Sequence, residues 1–271
     1  MSKRVGSKLR VENQKEIAPK IVSTRVIVPE NISAPERVAL SRQIYEVHRK
    51  IFSGTSAEEF HLHVLEPAAE ATVIQLYLTS DCDIVGYCAF HRYWRRLKGR
   101  NVIVLRAEAA LMPQYRGRGT TFGFGMIRAF VEKLRHPFTP VYYLGTLVHA
   151  SSYHLFCKYF GQVFPSPDFE APIEVQDQAR ALIDSFPDPA VTGADPFIRE
   201  VGWVTIETEQ ERELNKRGNQ RDVQFYLERN PGYLKGHGLV VFVPITVVNI
   251  AVALLSRLLE RALIGLGLRQ A

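Results

Sequence analysis

The chain has 271 residues, enough for one or two domains with a substantial apolar core and too many for a disulfide-stapled peptide. Apolar residues make up 46% of it and charged residues 23%, close to the averages of soluble globular proteins, which excludes wholesale disorder and a polytopic membrane protein. Most of the net charge of +6 lies in residues 1–25, which hold seven Lys or Arg and two Glu. The rest of the chain is nearly neutral, and a nucleic-acid-binding domain is not expected.

The tail and the cysteines both bear on location. Residues 1–32 contain no apolar stretch behind their cations, so a secretory signal is not expected, and the tail is either solvated or in contact with anionic lipid or nucleic acid. Cys82, Cys88 and Cys157 form no CxxC pair and leave an odd thiol, which is typical of a reducing compartment. A cytoplasmic location is therefore expected.

Two helices and a hairpin are predicted first along the chain. Ser33 and Glu36 have the spacing of a capping box for a helix that ends near Phe52, and Ser56 with Glu59 repeats the device for a short second helix. Residues 72–79 and 84–94 are rich in Val, Ile, Leu and Tyr and are separated by turn residues, which predicts a β-hairpin.

Strands and helices then alternate. The predicted elements are a basic loop at 95–100, a strand at 101–112, a helix at 120–134, a strand at 141–148 and a helix at 151–160. A helix near 175–186, a linker rich in Pro and Gly, and a helix capped by Thr208 and Glu211 follow. The basic loop is expected to be solvated rather than bound to nucleic acid.

A strand that ends in a glycine-rich turn and leads directly into a helix is the most informative feature. In the run RGRG at residues 116–119, glycine lets the main chain approach an anion closely, and the following helix N-terminus adds partial positive charge. Neither GxxxxGK[ST] nor GxGxxG is present. The turn alone therefore indicates either a pyrophosphate site or a tight connection.

Residues of about 36–165 resemble the GCN5-related N-acetyltransferase superfamily. The family's phosphate motif, [QR]-x-x-G-x-[GA], is matched by QYRGRG at 114–119, which is preceded by LMP at 111–113 where the family commonly has Val-x-Pro. The run IVGY at 84–87 is similar to the family's third strand, and the order of predicted elements is also the family's.

The resemblance implies an α/β fold, a mixed twisted sheet flanked by helices, here with a helical C-terminal extension. The strands on either side of the glycine-rich turn would splay apart, and the pantetheine arm of acetyl-CoA or another acyl-CoA would lie between them. The residues that the resemblance implies for the donor are Ala110, Leu111, Met112, Arg116, Gly117, Arg118, Gly119, Thr120 and Thr121. The first three would pair with the pantetheine arm and stabilise the thioester oxyanion, and the others would hold the diphosphate.

Direct attack of an amine on the thioester requires a base, because an alkyl amine is protonated at pH 7. Glu108 is the candidate, since a strand acid among apolar residues is costly unless it is paired or solvated; an ion pair with Arg106 or Arg92 is the structural alternative. The family's thiolate-protonating tyrosine falls here on Phe156 or Cys157, so Tyr153 on the same helix is the candidate acid. Cys157 as a nucleophile is the less supported alternative.

No metal site is expected, because His61 and His63 fall on different helix faces and no HExxH or Cys/His tetrad is present. Residues 238–256 are nineteen residues without a formal charge, the length of a bilayer span, although they contain Pro244 and Asn249. An apolar stripe follows, with Arg257, Glu260 and Arg261 opposite it; its members are Ile250, Leu254, Leu255, Leu258, Leu259, Ala262, Leu263 and Leu266. Residues 238–268 could contact a membrane, cover a groove on their own domain or form a homodimer seam.

The predicted organisation is a basic tail at 1–32, an acyltransferase domain at 33–168, a helical extension with a linker at 169–236 and an apolar or amphipathic C-terminal helix at 237–271. The predicted function is an N-acyltransferase acting in a ternary complex on a small-molecule amine whose identity the sequence does not give. One alternative is a long-chain acyltransferase that uses an acyl carrier protein or a lipid-like substrate at a membrane, since the basic loop suits an acidic carrier. The other is a protein that binds acyl-CoA without turnover.

Overall fold

The structure, a computed structural model, describes residues 20–116, 120–168, 170–217 and 220–266. The strands are β1 Ser23–Ile27, β2 Phe52–Ser53, β3 Ala71–Leu78, β4 Ile84–Leu97, β5 Arg100–Leu111, β6 Val141–Leu147, β7 Ile198–Glu200, β8 Val204–Thr205 and β9 His237–Pro244. The helices are α1 Ala34–His48, α2 Ala57–Val64, α3 Thr120–Arg135, α4 Ala150–Tyr159, α5 Ile173–Ile183, α6 Glu209–Arg217, α7 Arg221–Arg229 and α8 Val247–Gly265.

Within the described ranges, seven strands form one mixed sheet in the order β1-β3-β4-β5-β6-β9-β7. β5 and β6 are parallel, and the other neighbouring strands of this sheet are antiparallel. β2 and β8 form a separate antiparallel pair. The predicted fold class is confirmed, because helices flank a mixed sheet and a helical segment lies near the C-terminus.

Both predicted capping boxes are present. The Ser33 side chain accepts from the Glu36 N–H, and the Glu36 carboxylate accepts from the Ser33 N–H at 2.8 Å. Ser56 and Glu59 form the same pair of bonds at the start of α2. These local bonds fix the two helix starts, which is why the sequence predicted them.

Two apolar layers cover the sheet. On one side, α1 and α2 pack Ile44 and Phe60 against residues of β3 and β4 such as Leu76 and Tyr87. A larger cluster joins the remaining strands to the later helices and includes Leu105, Phe124, Tyr153, Leu182 and Phe242. Every central strand is therefore covered by apolar side chains, which holds the ends of β5 and β6 in fixed positions.

The predicted boundary at residue 168 is not a boundary of the sheet, since β7 and β9 come later in the chain and β1 lies in the predicted tail. The predicted helix at 237–271 begins instead with β9, which pairs with β6 on one side and β7 on the other. Residues 239–243 of β9 are all buried and rich in Val. A β-branched run that is buried on both faces favours a strand over a helix.

Asn249 anchors the start of α8. It is 2% exposed, its Oδ1 accepts from the N–H groups of Gly161 and Gln162, and its Nδ2 donates to the carbonyl oxygens of Gln162 and Pro244. A buried polar group with all of its bonds made rigidifies its surroundings. In the part of the chain that the structure describes, no helix is long and apolar enough to cross a bilayer.

Candidate active site

The parallel strands β5 and β6 separate along their length. They pair only at Ile103–Val141, Val104–Tyr142 and Leu105–Tyr143. Beyond these pairs β5 continues to Leu111, still paired with β4, and β6 continues to Leu147, still paired with β9. The result is an opening inside the sheet, as the resemblance implied.

The β4–β5 register shows which backbone groups of β5 point into this opening. Opposed residues in an antiparallel ladder alternate between pairs that exchange hydrogen bonds and pairs whose N–H and C=O groups point away from each other. The Met112 N–H donates to the Val85 carbonyl oxygen at 3.0 Å, so this pair is of the bonded kind. The continuous register then makes Ala110 opposite Tyr87 a bonded pair as well. Ala109 and Leu111 therefore direct their backbone groups away from β4 and into the opening.

The predicted set of donor-binding backbone groups is corrected accordingly. Ala110 and Met112 direct their N–H groups to β4, and of the three predicted residues only Leu111 faces the opening. Ala109, which sequence analysis missed, faces it too. Consecutive residues of a strand point their backbone groups to opposite sides, so the sequence alone excluded three adjacent residues facing the opening. Which residues face it depends on the register between β4 and β5, which the sequence does not give.

Arg116 follows β5 and binds back onto it. Its Nε donates to the Leu111 carbonyl oxygen at 2.9 Å, and its Nη1 donates to Glu211 of α6 at 2.6 Å. Burial raises the pKa of Glu211, but bonds from Thr208 and Arg116 outweigh it and hold the pKa below its usual value. Arg116 thus ties the end of β5 to α6, a contact that no local sequence pattern predicted.

The glycine-rich turn itself, Gly117, Arg118 and Gly119, lies outside the described residues. Thr120 and Thr121, also predicted to bind the diphosphate, are half-buried in the first turn of α3. The N–H groups of a first helical turn have no partner within the helix and favour an anion.

Glu108 stands in a row of polar side chains that crosses three strands. Its carboxylate oxygen is 2.5 Å from Nε2 of His91 on β4, and Nδ1 of His91 is 3.0 Å from the hydroxyl of Thr72 on β3. The His91–Glu108 approach is a close polar contact between two side chains inside the sheet. The Glu108 side chain is 20% exposed whereas the His91 side chain is fully buried, and the Glu108 Oε2 atom next to His91 is itself buried.

The charges around Glu108 determine its ionisation. Burial raises its pKa, but His91 and then Arg106 outweigh burial and hold the pKa below the usual 4.5. Of the two predicted ion partners, Arg106 contributes at longer range and is itself paired with Asp188, while Arg92 is paired with Glu132 of α3. Glu108 is therefore a carboxylate at neutral pH.

Tyr153, the predicted acid, is fully buried. Its hydroxyl donates to the Pro165 carbonyl oxygen at 2.9 Å, and its ring packs against Phe225 and Tyr226 of α7. Burial raises its pKa well above the usual value. A proton held in this way is poorly placed to reach a thiolate in the opening.

Tyr143 of β6 is a better-placed hydroxyl that sequence analysis missed. Its ring lies over Gly145, where an added Cβ would be 2.6 Å from a ring carbon and 3.0 Å from the hydroxyl oxygen. Gly145 belongs to the part of β6 that has left β5. Burial, and then Cys88 and Glu108, raise the pKa of Tyr143, so it carries its proton at neutral pH.

Aromatic side chains from α3 and α4 meet beside Tyr143. The Tyr143 ring stacks on Phe156 at 5.1 Å, and Phe122 of α3 packs against Phe156, Tyr159 and Phe160 at 5.1 to 5.8 Å. Burial raises the pKa of the neighbouring Cys157 thiol to about 11, which keeps it protonated and disfavours it as a nucleophile. Among the described residues, no group of three or more His, Cys, Asp or Glu could hold a metal ion.

No model of a protein family matches the chain, and no curated protein matches it. Several solved structures do match the chain. A GNAT-family N-acetyltransferase (YhbS) from Escherichia coli in complex with CoA is 16% identical over 46% of this chain and 62% of its own, with a TM-score of 0.30. A ribosomal-protein-alanine N-acetyltransferase from Brucella melitensis is 10% identical over 56% of this chain and 98% of its own, with a TM-score of 0.35. A probable N-acyltransferase from Enterococcus faecalis is 15% identical over 51% of this chain and 31% of its own, with a TM-score of 0.34.

The mixed sheet whose parallel strands β5 and β6 separate agrees with the architecture that the resemblance implied. Matches with such low identities and TM-scores do not bear on activity, which depends on the arrangement of the chain's own residues.

Proposed function

We propose that this chain is an acyl-CoA-dependent N-acyltransferase, which moves an acyl group, acetyl in the simplest case, from CoA to an amine within a ternary complex. The opening between β5 and β6 carries the proposal. Backbone groups of Ala109 and Leu111 point into it, and Glu108, whose side chain is partly exposed, lies between Ala109 and Arg106 of the same strand. Backbone N–H groups placed there can bind the pantetheine arm and stabilise negative charge on the thioester oxygen.

Glu108 acts on the amine in this proposal. Moving a proton from an alkylammonium of pKa about 10 to a carboxylate whose pKa lies below 4.5 is uphill by more than about 7 kcal/mol, so Glu108 does not deprotonate the resting substrate efficiently. It accepts the proton instead as the neutral amine attacks, when the new N–C bond makes the nitrogen acidic. The amine nitrogen bonds to the acyl carbon, the C–S bond breaks, and the products are an amide and a thiol.

Tyr143 supplies the proton that the departing thiolate takes up. The raised pKa keeps Tyr143 protonated at the pH of the reaction but also weakens it as an acid, so the support for this role is its position beside the separated part of β6. A free thiol has a pKa of about 8.5, so help from this acid is useful but not essential. Residues 116–121 bind the CoA diphosphate.

The position of the basic residues bears on whether an acyl carrier protein could be the donor. The basic residues at 95–100 lie at the end of β5 opposite to Leu111, about 35 Å away for an extended strand of this length, so they do not flank the opening. An acyl carrier protein as donor is therefore the weaker version of the proposal. A homodimer and a cytoplasmic location remain predictions, and the acceptor is a small-molecule amine of unassigned identity.

The test is release of free thiol from acetyl-CoA and longer acyl-CoA thioesters across a panel of amines, together with calorimetric titration of the same thioesters. We expect kcat/KM to rise about tenfold per pH unit below the pKa of the amine, because the neutral amine attacks. Glu108→Gln should lower kcat by about a hundredfold and leave thioester binding intact. Thioester binding without turnover by any amine would favour a non-enzymatic binder, and no binding at all would overturn the proposal.

A further inference from the structure

Helix α8 carries its apolar residues on the outside. Val248, Leu255, Leu258 and Leu259 are 73, 59, 62 and 64% exposed, respectively. Apart from Ile250, which is 8% exposed and packs in the core, the predicted apolar stripe faces away from the domain and does not cover a groove on it. A surface helix ordinarily has the opposite arrangement, with its apolar side against the protein.

Two of the three charged residues of α8, Arg257 and Glu260, point inward. Glu260 is paired with Lys158 and Tyr159 of α4, and the Arg257 guanidinium lies over the rings of Phe122 and Tyr159 at 5.9 and 5.5 Å. Both side chains are half-buried. The helix therefore places its acid against the domain and leaves an outer surface that is apolar except for Arg261.

Helix α3 extends this surface. Ile127, Phe130 and Leu134 are 63, 39 and 62% exposed, and a groove of about 230 Å³ between the two helices is lined by Ile127, Leu254 and Leu258 among others. We call the exposed apolar residues of the two helices the α3–α8 surface. An apolar surface of this extent on a folded protein marks a site of interaction.

The charges around the α3–α8 surface indicate which kind of partner could bind there. The acids within α3 and α8 are both paired with cations, Glu132 with Arg92 and with the exposed Arg135, and Glu260 with Lys158. Arg261 is exposed beside the outer leucines of α8. In a symmetric dimer whose two-fold axis passes close to Arg261, the two Arg261 side chains would approach each other. A negatively charged surface complements them, and apolar side chains flanked by arginine are suited to the boundary between lipid headgroups and acyl chains.

We propose that the α3–α8 surface docks the protein onto an anionic lipid bilayer. α8 lies in the plane of the interface, its outer leucines reach the acyl chains, and Arg261 lies among the headgroups. This inference concerns location and does not depend on the proposed function.

The test is co-sedimentation of the full chain with vesicles of phosphatidylcholine alone and of phosphatidylcholine mixed with phosphatidylglycerol. We expect binding to the mixed vesicles, and we expect Leu255→Asp combined with Leu259→Asp to weaken it about tenfold or more, because two apolar side chains leave the lipid. Both residues face outward, so the melting temperature should stay close to that of the parent chain. Leu234→Asp, at an exposed leucine outside these helices, is the matched control and should bind as the parent does.

Arg261→Glu should reduce binding to the mixed vesicles. Failure of the parent chain to sediment with the mixed vesicles, or equal binding by the doubly substituted chain, would overturn the proposal. Light scattering of both chains gives their oligomeric state. If the parent chain is a dimer, the doubly substituted chain is a monomer and both bind vesicles equally, the surface binds a second copy and the proposal is overturned.

Discussion

Two tyrosines show how residue position separates a catalytic from a structural hydroxyl. Tyr143→Phe should lower kcat about tenfold, because the leaving thiolate loses its proton donor, with little change in melting temperature. Tyr153→Phe should leave kcat near the parent value but cost about 1–3 kcal/mol of stability, because the buried Pro165 carbonyl loses its donor. Kinetics and thermal melts of both variants provide the comparison. The reverse pattern would restore Tyr153 as the acid.

His48 should make stability depend on pH. It is 1% exposed, its Nδ1 is 2.8 Å from the Tyr87 hydroxyl, and burial lowers its pKa to about 4. In the unfolded state His48 takes up a proton with a pKa of about 6.5, whereas in the folded state it does so only near pH 4. Its contribution is present above pH 6.5 and is lost as the pH falls towards 4, by up to about 1.4 kcal/mol per pH unit.

His48→Gln keeps a hydrogen-bonding side chain but does not titrate. Denaturant unfolding at several values between pH 7 and pH 4.5 should therefore show a shallower loss of stability in this variant. Equal slopes for the variant and the parent chain would show that His48 is accessible to protons in the folded state.

At the scale of residues, the sequence could single out a position only where its oddity was local. Glu108 was singled out because an acid among apolar strand residues needs a partner, and the structure gives it His91 as that partner. Its role as the base stays a prediction. His91 and Tyr143 were not identified, because their positions near Glu108 and the opening depend on how the strands pair. The β4–β5 register brings His91 close to Glu108, and the separation of β6 from β5 places Tyr143 beside the opening. Residue spacing along one strand carries no information about either.

At the scale of elements, the end of β5 depends on a glycine in β4. A Cβ at Gly86 would lie 2.6 Å from the Ala110 carbonyl oxygen and 3.1 Å from the Leu111 Cα, which are backbone atoms that must move to make room. Gly86→Ala should therefore destabilise the fold by about 1–3 kcal/mol and weaken thioester binding, since Leu111 borders the opening.

Gly125→Ala is the matched control. A Cβ there meets nothing within 4 Å, and the residue lies inside α3, where alanine is favoured over glycine by up to about 1 kcal/mol. Thermal melting and calorimetric titration of both variants would test the contrast. Parent-like stability and binding in Gly86→Ala would show that the ends of β4 and β5 can separate freely.

Elements with a local signature were predicted close to their observed bounds. Capping boxes gave α1 and α2, and alternation of apolar residues gave β3, β4 and β5. β9 was missed because an uncharged run of nineteen residues is equally typical of a membrane helix and a buried strand. Only its pairing with β6 and β7 distinguishes the two.

For the whole molecule, residues after Gly236 are expected to be essential for folding. β9 lies between β6 and β7, and its residues 239–243 are no more than 3% exposed. A chain ending at Gly236 should therefore be insoluble or lack near-ultraviolet circular dichroism, because two strands lose their shared partner. A chain ending at Leu266 keeps all the strands and α8, and it should resemble the parent. A soluble, cooperatively melting product from the shorter chain would contradict this view of the fold.

The insertion of β9 also has a consequence during synthesis. β6 is made nearly a hundred residues before the strand that covers its outer edge, so on the ribosome it stays open while the intervening helices emerge. A nascent chain in this state offers unpaired backbone groups to other chains. Recruitment of a chaperone to that edge, or slow translation of the last quarter of the message, would then decide how much protein reaches the native state.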